Sequence, residues 1–84
     1  MDRLDAMRLF LRVADTGSFS KAAADLEIGQ PTVSRRIQDL EAQLGAHLFL
    51  RTTRALSLTE AGQSFYARAR GILEAFEAAE AEVR

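Results

Sequence analysis

Between Phe19 and Leu44 two helical patterns meet across a short turn, and this junction limits the possible folds more than any other stretch of the chain. The second pattern places Val33, Ile37, Leu40 and Leu44 at i, i+4, i+7 and i+11, one inward apolar stripe of an α-helix. Pro31 sits in its first turn, where a missing N–H costs nothing, and Gly45 is a natural C-terminal stop. The first pattern opens at Ser18-Phe19-Ser20, with Ser18 or Ser20 as its cap, and runs through Ala22-Ala23-Ala24 to Leu26. Three small residues in a row let a neighbouring helix approach closely. Glu27-Ile28-Gly29 makes the turn, with Gly29 as the permissive residue. Two helices around a short glycine-containing turn form a helix-turn-helix.

The flanking segments complete the pattern. From Arg3 to Asp15, Leu4, Met7, Leu11 and Ala14 form one stripe, with Phe10 and Val13 beside it, and Thr16-Gly17 ends the helix. Leu48-Phe49-Leu50-Arg51 and Leu56-Ser57-Leu58 read as two short strands joined by Thr52-Thr53-Arg54-Ala55. No Asn-Gly fixes the turn type. Thr59 caps a last helix, and Glu60 lies at its positive end. There Phe65, Ala69, Ile72, Phe76, Ala79 and Val83 follow at spacings of 4, 3, 4, 3 and 4, a coiled-coil seam.

Eighty-four residues hold one small domain, and 48% apolar content is enough for a core. Without cysteine there is neither a disulfide nor a thiolate for zinc, and the lone His47 makes no metal site by itself. The pattern calls for no cofactor. The N-terminus MDRLDAMRLF lacks the basic and apolar regions of a signal peptide, and no stretch has the ~20 apolar residues of a membrane span. The absence of disulfides fits a reducing cytoplasm. An enzyme would need a nucleophile–base pair or clustered acids, and one histidine with solvated glutamates does not supply them.

The net charge of −1 argues at first against nucleic acid, but its distribution reverses the argument. Residues 71–84 carry Glu74, Glu77, Glu80 and Glu82 against Arg84, a net of −3, leaving +2 on residues 1–70. Gly29 to Gln38 and Leu48 to Thr59 each contain two arginines and no acid. With the apolar stripe of the third helix inward, Pro31, Arg35, Gln38 and Ala42 point outward, and Thr32, Ser34 and Arg36 flank them. Gln suits adenine, Arg suits guanine, and Ser or the Thr methyl suits base edges in a major groove. Arg36 is better placed for phosphate, and Lys21, just inside the second helix, is another phosphate candidate. Other readings stay open at this point. Gln30, Thr32 and Ser34 can serve as helix caps, and Arg35 and Arg36 can pair with Asp39. Arg51 and Arg54 beside the hairpin tip suit a wing in a minor groove, or a solvated turn. The Phe65–Val83 seam can equally be the working part of a protein-interaction module.

Taken together, Phe19-Ser20-Lys21-Ala22-Ala23-Ala24, Gln30-Pro31-Thr32-Val33-Ser34-Arg35-Arg36-Ile37, Leu40-Glu41, Leu44-Gly45, Leu48-Phe49, Arg51 and Leu58-Thr59-Glu60-Ala61-Gly62 resemble the LysR-type transcriptional regulators over nearly the whole chain. The resemblance implies a mainly α fold. A winged helix-turn-helix of three helices and a β-hairpin wing would occupy residues 1–58, and a long dimerisation linker helix residues 59–84. It implies double-stranded promoter DNA as partner, bound at an inverted repeat by a homodimer joined through the linker helix. Gln30, Pro31, Thr32, Ser34 and Arg35 become groove contacts. Arg36 and Arg54 become backbone or minor-groove contacts, with Lys21, Arg51 and Thr53 beside them. Phe65, Ala69, Ile72, Phe76, Ala79 and Val83 become the dimer interface. A larger effector-binding domain, higher oligomers that depend on it, and contact with RNA polymerase belong to the full-length family pattern, in the cytoplasm at the nucleoid. The chain stops inside the linker helix, so the expectation is a domain cut from, or a truncated form of, a longer regulator. Gly29 stands where the family often has serine or alanine, which predicts a third helix without a side-chain cap.

Overall fold

A computed structural model describes residues 2–52 and 55–84. Its elements follow the order α1 (Arg3–Thr16), α2 (Phe19–Leu26), α3 (Gln30–Leu44), β1 (Phe49–Arg51), β2 (Leu56–Leu58) and α4 (Glu60–Glu82). The helix ends follow local chemistry. Asp2 caps α1 by accepting the Asp5 N–H at 2.8 Å, and that bond holds its carboxyl below the ordinary range. Ser18, not Ser20, caps α2, accepting from the Lys21 N–H at 3.1 Å. Gly17 and Gly45 end α1 and α3 with φ of 68° and 69°, in the left-handed region where a Cβ is penalised.

The turn of the helix-turn-helix departs from expectation. Glu27, not Gly29, takes the left-handed conformation, with φ of 57°. Its N–H and that of Ile28 bond back to the Ala24 and Ala23 carbonyls at 3.2 and 3.1 Å. These bonds close the end of α2 and offset the unfavourable conformation of a non-glycine residue. Gly29 is instead the extended N-cap of α3, and no side chain caps that helix. A Cβ there would meet only ordinary contacts, Pro31 Cδ at 3.7 Å and Thr32 Oγ1 at 3.9 Å.

The core draws on every helix. Leu9, Phe10, Leu11 and Val13 of α1, Ala22 and Ala23 of α2, and Val33, Ile37 and Leu40 of α3 pack with Leu48 and Phe49 and with Ala69 and Leu73 of α4. Phe10 is the hub. Its ring lies 5.4 Å from Phe49 and 5.1 Å from Phe65, while Phe49 reaches Phe19 at 6.0 Å. The stripe on α1 thus includes Leu9, which its periodicity did not single out. Leu44 ends outside the core at 45% exposure, because the last turn of α3 runs past the helices it packs against.

The wing is a two-stranded antiparallel hairpin in which Phe49 pairs with Leu58, Leu50 with Ser57 and Arg51 with Leu56. Its base is tied to α4 through one residue. Thr59 donates its backbone N–H to the Leu48 carbonyl at 3.0 Å and its hydroxyl to the His47 carbonyl at 2.6 Å. The same hydroxyl oxygen accepts the Gly62 N–H at 2.9 Å, capping α4.

The seam on α4 divides. Ala69 is fully buried against the chain's own core, and Phe65 packs on Phe10. Of these two seam positions, Ala69 is thus enclosed by the chain itself and Phe65 is partly covered by it. Leu73, outside the spacing, is buried with them. Ile72, Phe76, Ala79 and Val83 remain exposed. A helix of 23 residues is about 35 Å long, so its second half outruns the body it starts on. Through Phe65, Ala69 and Leu73 the first half of α4 thus packs into the same core as the helices before it. Among the described residues, no helix is long and apolar enough to cross a membrane.

Candidate nucleic-acid interface

The outer face of α3 is built by elimination. Val33, Ile37 and Leu40 turn fully inward, which carries Gln30, Pro31, Arg35 and Gln38 to the surface and leaves Thr32, Ser34 and Arg36 half-buried at the flanks. Among the described residues, the side chains of Gln30, Thr32, Ser34, Arg35 and Arg36 form no hydrogen bond or ion pair, with Asp39 or with any other group. The capping and ion-pair readings for them therefore fail, and their polar atoms are available to a ligand. Arg36 lines a groove with Asp2, Arg3 and Asp39 between the start of α1 and α3. Lys21 is exposed near the start of α2. The uncapped N-terminus of α3 adds its positive dipole end to the same face.

The wing contributes differently. Arg51 is not a free cation. Its Nη2 lies 3.7 Å from Glu41 Oε1, and its Cζ sits 4.8 Å over the Phe19 ring. Thr53 and Arg54, the other wing candidates, lie outside the described residues.

Glu41, quoted among the motif residues without a role, turns out to have a structural one. It is buried on α3, and its Oε2 accepts the N–H groups of Leu48 and Phe49 at 2.7 and 3.3 Å. His47 Nδ1 lies 3.9 Å from the same oxygen, although the ring itself is exposed. One carboxylate thus satisfies the chain entering β1 and balances Arg51, fixing the wing against α3. A signal for this was present. Glu41 is four residues after Ile37 and eight after Val33, so the period of the buried stripe points it inward, where a carboxylate needs donors. Glu41→Ala is expected to cost about 1–3 kcal/mol, because two N–H groups in a buried setting lose their acceptor. Urea unfolding measures it. Glu41→Gln, which keeps an acceptor oxygen, is expected to lose less, and equal losses would contradict the hydrogen-bond account.

A second polar cluster ties α1 to α4. The Asp15 carboxylate accepts from Tyr66 Oη at 2.5 Å and from Arg70 Nη2 at 2.6 Å. Arg70 also donates to Tyr66 Oη at 2.8 Å. Partial burial pushes the Asp15 pKa up, but the Tyr66 and Arg70 bonds together outweigh it and hold the carboxyl below its usual range.

An unpaired, acid-free helix face presented beside a hairpin wing defines a winged helix-turn-helix protein of the transcription-regulator class. The chain belongs to the lysR family of bacterial regulatory helix-turn-helix proteins, whose profile matches residues 4–63. It is 44% identical over 84 residues to an HTH-type transcriptional repressor of Pseudomonas aeruginosa, covering 100% of this chain and 26% of that protein. It is 44% identical over 79 residues to the HTH-type transcriptional regulator CrgA of Neisseria meningitidis, covering 94% of this chain and 26% of that one. Among solved structures, the DNA-binding domain of BenM in complex with catB site 1 DNA superposes with a TM-score of 0.93 at 37% identity, over 99% of this chain and 92% of that one. Full-length CbnR complexed with its target DNA matches with a TM-score of 0.89 at 37% identity, over 100% of this chain and 29% of that one. The chain spans about a quarter of the length of the curated relatives it matches.

Proposed function

We propose that this chain is the sequence-specific, double-stranded DNA-binding part of a LysR-type transcriptional regulator. The observation that carries the reading is the outer face of α3, where Gln30, Thr32, Ser34, Arg35 and Arg36 have no side-chain partner among the described residues and no acid stands among them. Unsatisfied donors and acceptors on a helix that fits the ~12 Å major groove are suited to base edges. Pro31 shapes the start of that helix. Arg36 and Lys21 serve phosphates, and Arg54 and Thr53 extend the contact from the wing. Arg51 serves through the wing's position, since Glu41 already engages it. That the solved BenM DNA-binding domain and full-length CbnR are complexes with DNA supports the DNA-binding reading.

In this reading two copies associate through the exposed stripe of Ile72, Phe76, Ala79 and Val83, and the pair binds an inverted repeat whose half-sites its two-fold axis relates. The regulator acts at promoter DNA in the cytoplasm. Effector binding, higher oligomers and contact with RNA polymerase belong to the longer protein.

Selection of bound duplexes from a random pool at physiological salt tests the reading, and it is expected to return one half-site in two inverted copies. Affinity should fall steeply with added salt as phosphate contacts release counterions. Arg35→Ala is expected to cost about 1–3 kcal/mol and to relax base preference at one position. Equal loss on every sequence would instead make Arg35 a phosphate contact. If no duplex binds at low salt, the working part is the α4 stripe, as a protein-interaction surface.

A further inference from the structure

We propose that Asp15, Tyr66 and Arg70 form a positioning clasp that sets the direction in which α4 leaves the DNA-reading body, and through it the half-site spacing the dimer accepts. The proposal rests on the dimeric reading above and adds the residues that give that dimer its geometry.

The first argument is placement. Beyond Leu73 no residue of α4 is buried, so the direction of its exposed stripe is decided by how its first half is held. Phe65, Ala69 and Leu73 hold it by apolar packing, which is non-directional. The clasp supplies the directional part, because hydrogen bonds weaken steeply away from linear geometry. Two of its three bonds join residues 51 and 55 positions apart, on two helices, and the third links Arg70 to Tyr66 within α4. The Arg70 guanidinium also stacks 5.1 Å over the Tyr66 ring, and that ring packs 6.5 Å from Phe10. The clasp therefore rests on the core hub.

The second argument is that the Asp15 carboxylate finds its hydrogen-bond donors on α4 and not on its own helix. Asp15 stands in the last turn of α1, where the dipole disfavours an acid and that turn carries no base. Arg70 is what balances it, from another helix. The third argument concerns magnitude. The Asp15 and Arg70 side chains are 39% and 36% exposed, and ion pairs this open contribute little to overall stability. A network that adds little stability yet closes a three-way, short-bonded geometry is suited to orientation.

The effect is amplified by distance. A tilt of α4 at the clasp displaces the far end of the exposed stripe, and the two protomers of a symmetric dimer add their displacements. The two recognition helices then change their separation along the DNA.

The test uses the 84-residue chain and duplexes carrying the half-site recovered by selection, once as a single copy and once as inverted pairs whose spacing changes by single base pairs. The wild type is expected to prefer one spacing. Asp15→Asn and Tyr66→Phe are expected to keep single half-site affinity while discrimination between spacings falls by about five- to tenfold, since each protomer loses its own clasp. Asp15→Glu, which keeps the carboxylate, is expected to retain more discrimination than Asp15→Asn. Thermal melting checks that the variants fold. Unchanged discrimination in both variants overturns the proposal. So does an equal loss on single and paired sites, which a merely structural role predicts. A wild type that binds single half-sites without any spacing preference overturns the dimeric reading itself, and one that binds no duplex overturns the DNA reading.

Discussion

Gly62→Ala is expected to lower the melting temperature by about 10–20 °C, from a steric cost of roughly 2–3 kcal/mol in a domain of this size. A Cβ on Gly62 would collide with the Leu48 carbonyl oxygen, and it would come within 3.0 Å of the Leu48 carbonyl carbon and 3.1 Å of Leu58 Cδ2. The obstacle is backbone, so no rotamer change relieves it. Nor can that backbone move freely. The Leu48 carbonyl accepts the Thr59 N–H, and the Leu48 N–H is held by Glu41. Alanine is the better helix former by about 1 kcal/mol, so helix propensity predicts the opposite sign. A variant that melts at or above the wild-type temperature would show that α4 and the wing base can separate at little cost. If the steric account holds, DNA affinity falls with stability, because Gly62 lies where α4 meets the base of the wing.

Phe10→Ala is expected to cost about 3–5 kcal/mol, close to the whole stability of a small domain. Phe10 is fully buried and touches an aromatic ring from the wing and two from α4. Truncation removes the transfer free energy of the ring and leaves a cavity that three different elements would have to fill. Urea unfolding should show a much lower midpoint, with the slope little changed where a folded baseline survives. Phe10→Leu, which keeps most of the volume, should lose far less. A loss below about 1 kcal/mol for alanine would mean that α4 can collapse onto α1 without the ring. The hub also makes a prediction about order of failure. The wing and α4 both rest on Phe10, so they should lose structure together.

Much of this architecture is legible along the chain because its causes are local. The caps at Ser18 and Thr59 and the left-handed stops at Gly17 and Gly45 depend on a few neighbouring atoms, and they fall where residue type places them. The inward row of Val33, Ile37 and Leu40 follows from a period alone. Failures appear where two distant segments must agree. Leu44 fits the row, but the helix passes the end of its partners there. Ala69 fits the seam spacing, yet it is enclosed in the chain's own core, because an intramolecular neighbour is present at any concentration. Glu27 adopts the positive φ expected of Gly29, since the closing bonds of α2 fall at its position and not two residues later.

The junction of α2 and α3 was readable from the sequence because helical periodicity and turn chemistry act over a few residues. So was the acid-free run from Gly29 to Gln38, because charge is a property of composition. The sequence alone therefore determined that a helix with a polar, basic outer face would follow a tight turn. Only the tertiary structure decided what that helix is held to. Glu41 grips the wing, Arg51 is drawn in between Glu41 and Phe19, and Asp15 meets Tyr66 and Arg70 from the far end of the chain. Those contacts join residues from 7 to 55 positions apart, and no local rule specifies them. They exist because burying Phe10 from several sides brings α1, α4 and the wing into hydrogen-bonding range.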